Sequence, residues 1–243
     1  MEFLKSAPQD KAPFERFWME NFGETAEEIL PFFRDTFPRC RVYRAVEDGN
    51  LCATLYALPQ EMKVAGKTLP MVYIYGVATD KKHRGQGLAT RLFAFAEEDL
   101  KQEGFGGAVL VPAGKHLYPF YEKLGYSVFC QRKPVELPAG NTEIASISAD
   151  VYLRQREEYL VAMAHNIPPV HVVEYHHLGV WDGGMGAWEE TAEGTVYREI
   201  LGKLPRPESP CKGLAVGNDK PYAVAKAFCE AFPREGYFSF AME

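Results

Sequence analysis

At 243 residues the chain exceeds the usual single domain, and at roughly 150 residues per domain it accommodates one large unit or two unequal ones. Hydrophobic residues make up 47% and aromatic ones 13%, with 16 Phe and 13 Tyr, which excludes a disordered chain. The net charge of −6 arises entirely after residue 140, where 9 basic residues face 15 acidic ones against an even 18 and 18 before it, so general nucleic-acid binding is disfavoured.

No stretch approaches the ~18 uninterrupted apolar residues of a membrane helix, and residues 1–6 lack the layout of a secretion signal. A cytoplasmic protein without a membrane partner is expected. The five cysteines, Cys40, Cys52, Cys130, Cys211 and Cys229, are scattered and never form a C-x-x-C pair, which argues against a disulfide framework and a thiolate zinc site.

In chain order, residues 12–22 and 25–37 read as two short helices, the second opened by a Thr25–Glu28 capping box and carrying Ile29, Phe32, Phe33 and Phe37 at helical spacing. Residues 41–47 and 51–58 read as a hairpin about Asp48, Gly49 and Asn50. A strand at 71–79, a helix at 86–103, a strand at 108–111, a short helix ending at Gly125 and a strand at 126–132 follow. The expected class is a mixed α/β layer of the α+β type.

Two prolines and a glycine within residues 134–140 mark the boundary candidate, dividing the chain into units 1–135 and 141–243. In the second unit, 149–164 reads as helix, 170–177, 180–189 and 195–200 as strands, 205–210 as loop and 221–232 as helix. That order echoes the first half without any residue-level repeat.

Chemistry concentrates where the strand ending at Val77, Ala78 and Thr79 runs into a turn holding Lys81, Lys82, Arg84, Gly85, Gln86 and Gly87, followed by a helix with an apolar face of Leu88, Leu92, Phe95, Ala96 and Leu100. Glycines permit close backbone approach, N–H groups converge, and the helix N-terminus adds partial positive charge, so this is an anion cradle. No lysine and hydroxyl follow the second glycine, against a P-loop. The dinucleotide fingerprint fails because Thr90 stands where its third glycine belongs.

Arg84-x-x-Gly87-x-Ala89 resembles the Gln/Arg-x-x-Gly-x-Gly/Ala pyrophosphate loop of the GCN5-related N-acetyltransferases (GNATs). The run Tyr121, Glu122, Lys123, Leu124, Gly125, Tyr126 resembles that family's Tyr-Glu-Lys-Leu-Gly-aromatic segment. The likeness spans residues 40–132, and the early helices and the 60–70 stretch are similar to a bacterial subgroup that includes enhanced-intracellular-survival-like members. It implies a GNAT acyl-CoA transferase fold with a central mixed sheet and a smaller C-terminal α+β unit, a degenerate second half being one reading of that unit. It further implies that Arg84, Gly85, Gln86, Gly87, Leu88 and Ala89 bind the pyrophosphate of acetyl-CoA while Val77, Ala78 and Thr79 pair with the pantetheine arm. Tyr121 takes the role of general acid toward the coenzyme sulfur, with Tyr118 as the alternative, although Leu117, Phe120, Tyr121 and Leu124 also fit a core face.

The resemblance makes acetyl-CoA a co-substrate, with no metal and no nucleic-acid partner, and the acceptor a small-molecule or peptide amine of cationic character. No cysteine lies in either motif, which favours direct transfer. No carboxylate falls within residues 71–79, so the general base stays open among Tyr73, Tyr75, His116, a carboxylate of the second unit and, by resemblance, the C-terminal carboxylate at Glu243. Gly114, Lys115 and His116 stand where many relatives carry an asparagine. His171, His176 and His177 have poor ligand spacing for a metal, and Trp181 and Trp188 line either a cleft or a core. The rival class is a non-catalytic acyl-CoA-binding or sensing module.

Overall fold

The computed structural model describes residues 1–7 and 11–240. Strand β1 (Glu2–Ser6) forms an edge beside β2 (Arg41–Glu47). Between them lie α1 (Ala12–Phe22), closed by Gly23 donating to the Met19 carbonyl, and α2 (Ala26–Pro31), opened by the expected Thr25–Glu28 capping box. The helical path then widens into one π turn over Phe32–Thr36 and tightens into one 3₁₀ turn over Phe37–Arg39, placing Phe33 and Phe37 in the core.

Strands β3 (Asn50–Val64) and β4 (Lys67–Thr79) form one long hairpin. The 60–70 stretch, an insertion by sequence, is the far end of that hairpin, and there Glu61, Met62 and Lys63 pair with β8 (His165–Ile167). Helix α3 (Leu88–Gln102) buries Leu88, Leu92, Phe93, Ala96 and Leu100. Phe93 replaces the expected Phe95, which sits one step off the i, i+4 row and packs outward against Phe3. Strand β5 (Gly107–Leu110), α4 (Tyr118–Lys123) and β6 (Ser127–Leu137) follow.

From residue 134 on the chain departs from its sequence reading in four places, and in one of them residues 180–189, read as a single strand, split into two strands at a turn over Asp182 and Gly183. Residues 221–232, read as helix, contain β13 (Lys220–Ala227), which sits between β5 and β6 and pairs antiparallel with both. Its Ala223, Val224 and Ala225 are buried, so sheet position overrides the alanine-rich helix propensity. Residues 134–137, the start of the 134–140 boundary candidate, continue β6 and pair with β12 (Cys211–Val216). Beyond Arg132 the β13 pairing stops, leaving β6 a neighbour on one side, the edge condition that tolerates Pro134. Residues 170–177, read as strand, form the short helix α6 (Val170–Val173) set up by Pro169, and only His177 enters β9 (His177–Trp181).

With β7 (Ala145–Ser146), α5 (Ala149–Leu160), β10 (Gly184–Thr191) and β11 (Gly194–Gly202), the sheet reaches 13 strands among the described residues. Its order is β1-β2-β3-β4-β5-β13-β6-β12-β11-β10-β9-β7, with β8 on β3. Residues 138–219 are thus an excursion between two strands that lie side by side, and the two expected units share one sheet. No helix among the described residues is long and apolar enough to cross a membrane.

A buried polar network joins the excursion to the rest. Arg156 on α5 pairs with Glu199 on β11 at 3.1 Å and donates to the Asn166 carbonyl at 2.7 Å and to Ser239 Oγ at 2.9 Å. Tyr152 donates to Glu199 at 2.7 Å, and Asn166 donates to Gln60 on β3. Arg132, equally buried, donates to the carbonyls of Leu214, Arg198 and Phe238. These bonds hold residues 237–240 against the middle of the sheet.

Candidate active site

Strands β4 and β5 run parallel but pair only at Val72 with Ala108 and Tyr73 with Val109. Past that point they diverge, and a cleft of about 650 Å³ opens between Tyr75, Gly76 and Val77 on one side and Val111, Pro112 and Tyr118 on the other. Beyond Tyr73, β4 forms no further pair with β5 among the described residues.

A bulge in β4 shapes this opening. The β3–β4 register slips between Thr54 and Tyr56, and Gly76 takes a φ of 57° while its carbonyl accepts from Thr54 Oγ1 at 3.1 Å. A Cβ at Gly76 would overlap the rings of Tyr56 and Trp18, so both backbone sign and space require glycine. The bulge falls where β5 no longer pairs with the strand.

Beyond Thr79 the chain makes a tight turn. Asp80 accepts from the Lys82 amide at 3.2 Å and from the His83 ring at 2.9 Å, and Arg84 Nε donates back to the Thr79 carbonyl at 3.0 Å. Gly85 and Gly87 have φ values of 76° and 70°, and no side chain caps the start of α3. The first amides of a 15-residue helix thus open beside Lys81, Lys82 and Arg84, all exposed. Arg84, Gly85, Gln86 and Gly87 are exposed too, while Leu88 is buried and anchors the helix. Val77, Ala78 and Thr79 are half-buried at the strand end. The nine residues singled out by sequence fall on one continuous strand–turn–helix path.

Tyr121, on α4, lines the cleft while its ring packs against Phe93 at 6.0 Å, Phe120 at 5.1 Å and Tyr126 at 6.2 Å. Burial pushes its phenol up to about 12. Its ring belongs to the core and its edge reaches the cleft, so the two readings of the sequence are compatible. Tyr118 lines the same cleft, but its hydroxyl donates to the Tyr222 carbonyl on β13 at 3.2 Å.

Tyr73 and Tyr75 line the cleft and stack at 5.9 Å, whereas His116 is exposed and outside the lining. No carboxylate of the described second unit lines the cleft, which receives Pro221 and Tyr222 from it instead. Glu243 lies outside the described residues. His171, His176 and His177 sit on α6, the following turn and β9; His176 packs on Phe240 and His177 stacks on Trp188. No group of three metal-ligating side chains comes together among the described residues. Trp181 and Trp188 pack with Tyr197 around a small separate core rather than on the cleft.

Sequence reasoning missed several cleft residues, four of them with side chains that bear on its chemistry. Trp18 and Phe22 on α1, Glu24 just after it and Tyr222 on β13 all line the cavity. The only local signal was the amphipathic pattern of α1, which fits a core helix equally well. Trp18 packs on Phe22 at 4.7 Å, on Phe32 at 5.0 Å and on Tyr75 at 5.3 Å.

A parallel strand pair that splays open on a cleft, with a basic glycine turn and an uncapped helix beyond the strand end, is the layout of an acyltransferase, although of the nine strand–turn–helix residues only Val77 lines the cleft itself. The family model of the acetyltransferase (GNAT) domain matches residues 5–129, and the chain belongs to this GNAT family. A conserved protein of Enterococcus faecalis aligns with a TM-score of 0.72 at 17% identity, over 93% of this chain and 72% of that one. A GCN5-related N-acetyltransferase from Kribbella flavida gives 0.72 at 15% identity, over 93% and 71%. Eis1 from Mycobacterium abscessus gives 0.63 at 13% identity, over 93% and 74%. At these identities the likeness is one of fold. No curated protein matches the chain.

Proposed function

We propose that the protein is an N-acetyltransferase moving the acetyl group of acetyl-CoA directly onto a primary amine. The observation that carries this reading is a cleft that opens where β4 and β5 part, lined by Val77 and Tyr121, with the strand running on from it into the glycine turn and the uncapped start of α3. Amides from Gly85 to Ala89, with Arg84, Lys81 and Lys82 beside them, suit a pyrophosphate. The strand end at Val77, Ala78 and Thr79, which β5 does not cover, suits the amide-bearing pantetheine arm, which would add to the sheet as a strand does. That arm would bring the thioester toward Tyr121.

Acetyl transfer forms an N–C bond as the C–S bond breaks, and the proton lost by the amine balances the thiolate released. A phenol held near 12 stays protonated across neutral pH. It is a much weaker acid than a thiol of about 8.5, so Tyr121 serves by hydrogen-bonding the departing sulfur rather than by surrendering its proton outright. None of the cysteines lines the cleft, which supports direct transfer over a thiol-bound intermediate. Five unpaired thiols support a reducing, cytoplasmic setting.

The test is thermal stabilisation by CoA followed by thiol release from acetyl-CoA across a panel of amines. Stabilisation by CoA where ATP and NAD give none, with amine-dependent thiol release, is the expected result. CoA binding without release for any amine would instead favour a sensing module. Gly87→Ala gives an independent arm. Space is open at that position, so the change acts through its positive φ alone, at about 1–2 kcal/mol. Titration calorimetry should find CoA affinity lowered by roughly tenfold, because the strained turn turns its amides away.

A further inference from the structure

Glu24 is the one acidic side chain lining the cleft among the described residues, and Lys115, in the turn after β5, is the one lysine or arginine. The Trp18 indole N–H donates to Glu24 Oε2 at 3.1 Å, which aims the carboxylate, and no basic side chain of the described residues forms an ion pair with it. Trp18 in turn packs on Phe22 and Tyr75, and all three rings line the same cleft as Glu24. Phe22 is 44% exposed, a large aromatic surface left at the mouth of a cleft. A fixed carboxylate beside aromatic faces is the chemistry that holds an ammonium, by charge and by the ring quadrupole together.

The same chemistry keeps that nitrogen protonated, and a protonated nitrogen has no lone pair with which to attack a thioester. We infer that Glu24 and the Trp18–Phe22–Tyr75 wall hold a second, non-reacting cation, so that the acceptor carries two basic nitrogens. Lys115 repels a cation from the turn after β5 and thereby sets the direction in which such a molecule lies. The inference rests on the N-acetyltransferase reading and names its substrate class.

The experiment compares 1,4-diaminobutane with n-butylamine as acceptors for the full chain, by thiol release at saturating acetyl-CoA. Wild type should favour the diamine by about tenfold in kcat/KM, expressed mainly in KM. Glu24→Gln should bring that ratio close to one, and Glu24→Lys should shift preference toward 4-aminobutanoate, whose carboxylate now finds a partner. Phe22→Ala should reduce the diamine preference in the same sense. Equal use of both amines by wild type overturns the inference, as does a parallel fall in kcat for both with Glu24→Gln, the mark of a general base. Transfer to no amine of the wider panel would overturn the acyl-transfer reading itself, and this inference with it.

Discussion

Replacing Tyr121 by phenylalanine is expected to lower kcat for acetyl transfer by about 10²- to 10³-fold while CoA still stabilises the protein against heat. The ring stays where it is, because Phe93, Phe120 and Tyr126 hold it by packing that a phenyl ring retains. Only the hydroxyl at the cleft is lost. Steady-state kinetics should place the loss in kcat and leave KM for acetyl-CoA close to wild type, since the group acts on charge that develops as the C–S bond breaks. Burial keeps this phenol protonated up to about 12, so the wild-type profile should show no descending limb from it between pH 7 and 10. An unchanged rate in the variant removes Tyr121 from the mechanism. Tyr118→Phe is the comparison, and its effect should be smaller, because that hydroxyl is already committed to the Tyr222 carbonyl.

The parts of this site that could be read in the sequence are those whose chemistry is local. A glycine turn between a strand and a helix needs left-handed residues at fixed positions, and Gly85 and Gly87 supply them within three residues of Arg84. Tyr121, four residues before Gly125 in a short helix, was picked out by the resemblance of its run to the family's segment, and it lines the cleft. Glu24 and Trp18 were not. Trp18 meets Tyr75 across some fifty residues of chain and carries Glu24 with it by a hydrogen bond, and Phe32, in a π turn that no pattern of apolar residues announces, packs on both rings.

The fold divides along the same line. Helix α3, the β2–β3 hairpin and the capping box of α2 each close within a few residues, and each forms as expected. Strand β13 pairs with β5 and β6, over a hundred residues earlier in the case of β5, so its alanines pointed to a helix. That long return is what brings Tyr222 to the cleft, and with it the second half of the chain becomes a wall of the site.

The buried network that secures this return predicts the largest change in stability. Glu199→Gln should destabilise the protein by about 3–5 kcal/mol at pH 7, measured by urea unfolding. Arg156 and Glu199 have 2% and 0% of their side-chain surface exposed, and Arg132 is buried nearby, so removing the carboxylate leaves two guanidinium groups without their counter-charge. Burial pushes the Glu199 carboxyl up, but Arg156 and Arg132 outweigh it and hold the group below the usual carboxylate range. A depressed folded-state value means that its stabilisation is complete above the unfolded value of about 4.3 and is lost as pH falls through the folded one. Wild type and variant should therefore differ fully at pH 6–7 and converge in acid. A difference that persists at the lowest pH where both remain folded would show that Glu199 acts through packing instead of charge. Because Ser239 and Phe238 hang on Arg156 and Arg132, and Phe238 packs on Tyr73 at 5.2 Å, the variant should also lose affinity for the acceptor amine well below its unfolding temperature.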